Sequence, residues 1–193
     1  MRRNSSADYS LRMLITFLMA IPNFWLALVF LLITVVFFQW RPPFEVTYLW
    51  TDPVRNLQMT IPPGVCLGLG MGSIIARMVR ATFLEVLRED YVRTARSKGL
   101  KETVIVKRHV LRNAFLPVLT LTGLQLAALL GGTVAVERAF NIPGLGFSLV
   151  FAIIERDYMM IQNLVLLFGV CTIAVNFLTD ILYGVIDPRI RFS

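Results

Sequence analysis

Residues 13–40 read MLITFLMAIPNFWLALVFLLITVVFFQW, an unbroken run without Asp, Glu, Lys or Arg. A bilayer core of about 30 Å is crossed by roughly 20 apolar residues in a helix, so this run is long enough to span. Three more uncharged runs follow, at 56–76, 113–136 and 158–179. The last continues to Ile186 with Asp180 as its one charge. A fifth run, 139–154, is shorter and is broken by Pro143-Gly144-Leu145-Gly146, which reads as a re-entrant or interfacial piece. Four long runs in 193 residues leave too little amphipathic surface to solvate them as core helices of a soluble protein. Composition agrees, since 56% of the chain is hydrophobic and 16% charged, where soluble domains average about 45–50% and 25%. The expected fold is all-α: a polytopic membrane protein of about four transmembrane helices forming one transmembrane domain over 1–193. The spans are expected at about 13–39, 58–80, 114–136 and 160–186. A cytoplasmic loop at 84–113 joins the second to the third, and an outer loop at 137–159 joins the third to the fourth.

The basic start and apolar run of the N-terminus imitate a signal peptide. The run is too long for one, and no small-residue cleavage site follows it cleanly, so it reads as a retained helix. Counting Lys and Arg by loop, with the second loop taken from Arg77 to Arg112, gives 15 on the side of the termini and that loop, and 4 on the other side. The positive-inside rule then places both termini in the cytoplasm. Trp40, Tyr48 and Trp50 fall at or beyond the outer end of the first helix, where an aromatic belt is expected. The net charge of +7 is therefore mostly topological, and no nucleic-acid partner is expected. Cys66 and Cys171 imply neither a disulfide framework nor a metal cluster. No metal or other cofactor is expected.

The segment 81–119, ATFLEVLREDYVRTARSKGLKETVIVKRHVLRNAFLPVL, is the polar exception. Apolar residues recur at helical spacing through Phe83, Leu84, Val86, Leu87, Tyr91, Val92 and Ala95, predicting a helix to about Lys98. Gly99 suits the position after the helix, since glycine takes a left-handed conformation cheaply. A second short helix is expected from about Lys101 to Asn113. Such a helix–Gly–helix hairpin suits docking to a cytoplasmic partner. It equally suits a basic amphipathic loop on anionic lipid.

Tyr91-Val92-Arg93-Thr94-Ala95-Arg96-Ser97-Lys98-Gly99-Leu100, with Arg108-His109-Val110-Leu111-Arg112-Asn113-Ala114 and Leu116-Pro117, resembles the coupling loop of binding-protein-dependent ABC transporter permeases. The dipeptide/oligopeptide/nickel branch is the most similar. Ile21-Pro22-Asn23-Phe24-Trp25-Leu26, Gly123-Leu124-Gln125, Leu130-Gly131-Gly132, Val136-Glu137, Phe140-Asn141-Ile142-Pro143-Gly144-Leu145-Gly146, Arg156-Asp157-Tyr158 and Asp187-Pro188-Arg189 resemble that branch in the same order. Where the general loop has Glu-Ala-Ala, this chain has Arg93-Thr94-Ala95, and Pro117 lies further from Gly99. Permeases of this kind usually have six spanning helices, and the chain resembles their C-terminal four.

The resemblance implies a permease subunit of an importer for di/oligopeptides or a similar small solute, in the cytoplasmic membrane. It implies four kinds of partner: a second permease subunit forming a heterodimer, two cytoplasmic ATPase subunits, an extracytoplasmic solute-binding protein and the lipid bilayer. ATP hydrolysis belongs to a partner chain, and the sequence contains no G-x-x-x-x-G-K-[ST] phosphate loop. Gly68, Gly70 and Gly72 sit at membrane depth and read as close helix packing. Glu89, Asp90, Tyr91, Arg93, Thr94, Ala95, Gly99 and Leu100 are the expected docking residues, with small Ala95 permitting close approach. Asn23, Gln125, Asn163 and Asn176 are candidates for the pathway; Gln125 and Asn163 serve equally as hydrogen-bonding groups between helices. Asp180 lies near the cytoplasmic end and reads as an interfacial charge. Pro143, Gly144 and Gly146 mark the outer loop. Enzyme readings find no reactive pair: Asp180 is the single carboxylate within a span, and His109 stands alone among basic residues. The alternative is a truncated remnant or an interaction-only subunit that does not transport.

Overall fold

The computed structural model describes residues 6–43 and 45–186, except the side chain of Leu130. Arg2, Arg3, Asp187, Pro188, Arg189 and Arg191, on which part of the charge count and the C-terminal resemblance rest, lie outside the described residues. So does the orientation of the two termini. The elements are α1 Ser6–Ala20, α2 Asn23–Phe38, α3 Pro53–Val86, α4 Asp90–Ser97, α5 Glu102–Val104, a π-helical segment Ile105–Val110, α6 Leu111–Gly132, α7 Val134–Phe140, α8 Leu145–Ile154 and α9 Tyr158–Ile186. No strand occurs among the described residues. The protein is all-α and polytopic.

The expected first span over 13–39 is not one straight helix. It breaks between Ala20 and Asn23, and α1 and α2 meet at 103°. Pro22 is the cause: it has no N–H to donate, and its ring disfavours the α conformation at Ile21. Pro22 instead precedes α2 in extended conformation, and its carbonyl accepts the N–H groups of Trp25 and Leu26. Among the described residues, three helices are long and apolar enough to cross a membrane: α3, the continuous helix from Glu102 and α9. The number rises to five if α1–α2 and α7–α8 each make one bent crossing. α3 extends beyond 58–80 at both ends and carries Pro62 and Pro63 inside it, which spanning helices tolerate where neighbours re-satisfy the freed backbone.

The expected second helix of the cytoplasmic hairpin is not a separate element. α5, the π-helical segment and α6 follow one another without a gap from Glu102 to Gly132. The first helix is also divided: Leu87-Arg88-Glu89 turns between α3 and α4, with Arg88 N–H donating to the Glu85 carbonyl at 2.9 Å.

Two compact units form. One comprises the chain up to Ser73 with Ala128–Val170. Its core is Ala27, Cys66, Val136 and Phe140, flanked by Phe30, Leu31, Leu67, Ala139 and Ile142. Small side chains at 27 and 66 let α2 and α3 approach one another, and Phe30 meets Phe140 with ring centres 6.1 Å apart. Tyr48 stacks on Trp50 at 5.0 Å in the segment before α3.

The other unit comprises Ile74–Ala127 with the chain from Cys171. Its core is Val92, Ala95, Ile105 and Val110, flanked by Phe83, Val86 and Leu87. A seam joins α6 to the last part of α9. The Tyr183 hydroxyl meets that of Thr120 and donates to the Leu116 carbonyl at 3.1 Å. Gly123 faces Thr179 closely, and Arg112 Nε donates to the Ile186 carbonyl at 2.9 Å.

Candidate functional site

The polar loop folds on a core of its own. α4 buries Val92 and Ala95, three residues apart and hence on one face. Glu89, Asp90, Tyr91, Arg93 and Thr94 are exposed. Gly99 has φ +74°, the conformation glycine takes at a helix end, and Leu100 N–H closes the turn on the Ala95 carbonyl at 3.4 Å. Arg96 then grips Glu102 with two donors, Nε at 3.2 Å and Nη2 at 2.7 Å. This hydrogen bonding holds the Glu102 carboxyl below its usual range and raises Arg96. Asn113 Nδ2 donates to the Tyr91 hydroxyl at 2.8 Å, tying α4 to α6.

An open depression of about 460 Å³ lies where α3 turns into α4, lined by Ala81, Leu84, Glu85, Arg88, Glu89 and Asp90. Two of the expected docking residues, Glu89 and Asp90, are therefore on its wall. Tyr91, Arg93, Thr94, Gly99 and Leu100 are exposed elsewhere on the same loop. Ala95 is different. It is 7% exposed and faces inward, so its small size serves the seating of α4 on Ile105 and Val110 rather than the approach of a partner. Glu85 and Arg88 were missed because helical periodicity assigns them only to a polar face; the turn that makes them a wall is tertiary.

In the 137–159 segment, α7 and α8 meet at 97°. The Glu137 carboxylate fills the corner. It accepts the Phe147 N–H at 2.6 Å and the Thr133 hydroxyl at 2.7 Å. Phe147 is in the first turn of α8, where N–H groups lack helical partners and an anion is favoured. A side-chain carbon at Gly144 would collide with this carboxylate, and one at Gly146 would crowd it and Val134. The two glycines are thus spaces for Glu137. Pro143 is exposed beside them, lining with Val46, Asn141, Ile142 and Phe147 a smaller depression of about 220 Å³. The Arg138 guanidinium lies over the Phe147 ring at 5.0 Å.

The expected pathway residues lie on several elements: Asn23 begins α2, Gln125 is in α6, and Asn163 and Asn176 are in α9. Asn23 packs its amide against Gly70, the one member of the 68–70–72 trio with a close neighbour. Gln125 is half-buried, and Asn163, Asn176 and Asp180 are exposed on α9. His109 is half-buried in the π-helical segment. Among the described residues no group of three His, Cys, Asp or Glu side chains could hold a metal ion.

The chain is 41% identical to a protein of Brucella ovis named putative peptide permease, across 100% of this chain and 61% of that one. It is 46% identical to the glutathione transport system permease GsiC of Escherichia coli K12, across 77% of this chain and 49% of GsiC. The chain thus spans about half to three-fifths of the length of these relatives. The family profile described as "Binding-protein-dependent transport system inner membrane component" matches residues 1–192. By that match the chain, a multi-pass membrane protein, belongs to the binding-protein-dependent transport system inner membrane components.

Proposed function

We propose that the chain is a permease subunit of an ABC importer that moves di/oligopeptides or a similar small solute across the cytoplasmic membrane. ATP is hydrolysed by a separate ATPase chain that docks at the loop between α3 and α6. The observation carrying this reading is α4: an exposed polar face seated by its own apolar core directly on the helix that continues into a candidate span. A push on such a hairpin is passed to α6 as a rigid-body movement. The names of the relatives, a putative peptide permease and a glutathione permease, support a peptide-like solute. Peptides vary in side chain, and a pathway of modest polarity, with Asn and Gln as its polar groups, suits them. The partners in this reading are a second permease subunit, two ATPase subunits and an extracytoplasmic solute-binding protein. Both termini and the docking loop face the cytoplasm, as the distribution of Lys and Arg supports.

The test is peptide uptake in proteoliposomes holding the assembled transporter, with Glu89→Lys and Asp90→Lys on the wall of the depression. Both substitutions are expected to weaken ATPase association and reduce uptake at least tenfold while the permease remains folded. Unchanged association and uptake in the double variant would exclude docking at this face.

A further inference from the structure

The buried stripe of the helix that enters α6 has an irregular spacing. Ile105, Val110, Ala114 and Val118 are all buried. Their intervals are five, four and four residues. Residues four apart share one face of an α-helix. Residues five apart are turned by roughly 140° at 3.6 residues per turn. Ile105 and Val110 nevertheless are both 0% exposed and both belong to the cluster under α4, with Val92 and Ala95. The π-helical turn makes this possible. Leu111 N–H donates to the carbonyl of Val106, five residues back, so the segment takes up one residue more than an α-helix would. The exposed residues of the segment are Lys107 and Arg108.

We propose that Ile105–Val110 is a register switch, held in its π-helical form by the seating of α4 and released to α-helix when α4 is drawn away. With α4 seated, the extra residue is the condition for burying Ile105 and Val110 together. With α4 withdrawn, that condition disappears and ordinary i to i−4 hydrogen bonding is preferred. Absorbing one residue into an α-helix turns its two ends by about 100° and shifts them by about 1.5 Å. Movement of the hairpin is thereby converted into rotation at the start of α6. Arg96–Glu102 and the Gly99 turn keep α4 tied to α5, so tension on α4 reaches the segment directly. The switch rests on the packing alone; its use in transport rests on the permease reading above.

Deletion of Lys107 tests it. The deletion removes an exposed residue and gives the buried stripe intervals of four throughout, so the segment becomes α-helical with α4 still seated. The full-length chain in nanodiscs is expected to unfold within a few degrees of wild type. A control deletion of Phe115, in the regular part of α6, turns the helix beyond it out of register with Thr179 and Tyr183 of α9 and is expected to unfold far lower. Equal destabilisation by the two deletions would overturn the proposal, since the slack would not reside at 105–110. In the assembled transporter, the Lys107 deletion is expected to keep ATP hydrolysis within twofold and to lose peptide transport at least tenfold. Transport at the wild-type rate in a normally folded deletion would also overturn it. Failure of the wild-type chain to drive any transport with its ATPase would instead reject the permease reading, and the stability comparison would still decide the switch.

Discussion

The carboxylate of Glu137 accepts the backbone N–H of Phe147 at 2.6 Å, where α7 and α8 meet at 97°. One side chain thus caps a helix that begins eight residues after it. Removing it leaves an amide in the first turn of α8 without its acceptor, which costs about 1–3 kcal/mol where the site is dry. Glu137→Ala is therefore expected to lower the thermal midpoint and to open the 141–147 loop to protease. Gly144→Ala acts on the same corner by displacing the carboxylate. The double variant is expected to be little worse than either single one, because both break one interaction. Additive losses in a thermal-unfolding cycle would contradict the shared mechanism.

Val92 and Thr94 separate packing from docking. Val92 is fully buried and Thr94 exposed on the same helix. Val92→Ala leaves a cavity and is expected to cost about 1–3 kcal/mol. Thr94→Ala is expected to change stability by less than about 0.5 kcal/mol. Denaturation of the purified chain measures both.

Gly99 sits at φ +74°. A side chain there adds roughly 1–2 kcal/mol of steric cost. Gly99→Ala should destabilise the α4–α5 turn, and Gly99→Asn should do so less, since Asn tolerates this conformation. Hydrogen exchange across 96–102 reports the difference.

Acid should loosen the same turn. Arg96 holds the Glu102 carboxyl below its usual value, which is near 4.3 in peptides. A carboxyl lowered in the folded state stabilises the fold above the unfolded value, and the effect is lost as pH falls through the lowered one. A spin label at Ser97 is expected to gain mobility as pH falls through that lowered value. In Glu102→Gln the label should be mobile at neutral pH and insensitive to acid.

Gly123 lets α6 meet Thr179 of α9. Gly123→Val overfills that contact and is expected to cost about 1–3 kcal/mol. It should also disturb the nearby Thr120–Tyr183 contact, which a Tyr183→Phe comparison in detergent unfolding would reveal.

Much of this architecture is legible locally. Uncharged runs long enough to span, Gly99 after a helix and the Pro-Gly break at 143–144 each follow from the chemistry of a few adjacent residues. The bend at Pro22 is also local, yet an unbroken apolar run conceals it, because hydropathy does not record the missing N–H. Ala95 illustrates the opposite limit. Its size suits a close approach, and the sequence alone leaves open whether the neighbour is a partner or its own core. The wall formed by Glu85 and Arg88 and the corner filled by Glu137 likewise require the direction of each turn.

The sequence by itself determined which segments are apolar enough to cross a membrane, where a polar loop interrupts them and which family the chain resembles. Composition, helix-breaking residues and residue order carry that information. Only the tertiary structure decided that Ala95 faces inward, that Gly144 and Gly146 make room for Glu137 and that 105–110 is π-helical. The physical reason is common to all three. Each depends on which neighbours the turns bring against it, and at 105–110 burial also overrides the regular spacing a helix would otherwise keep.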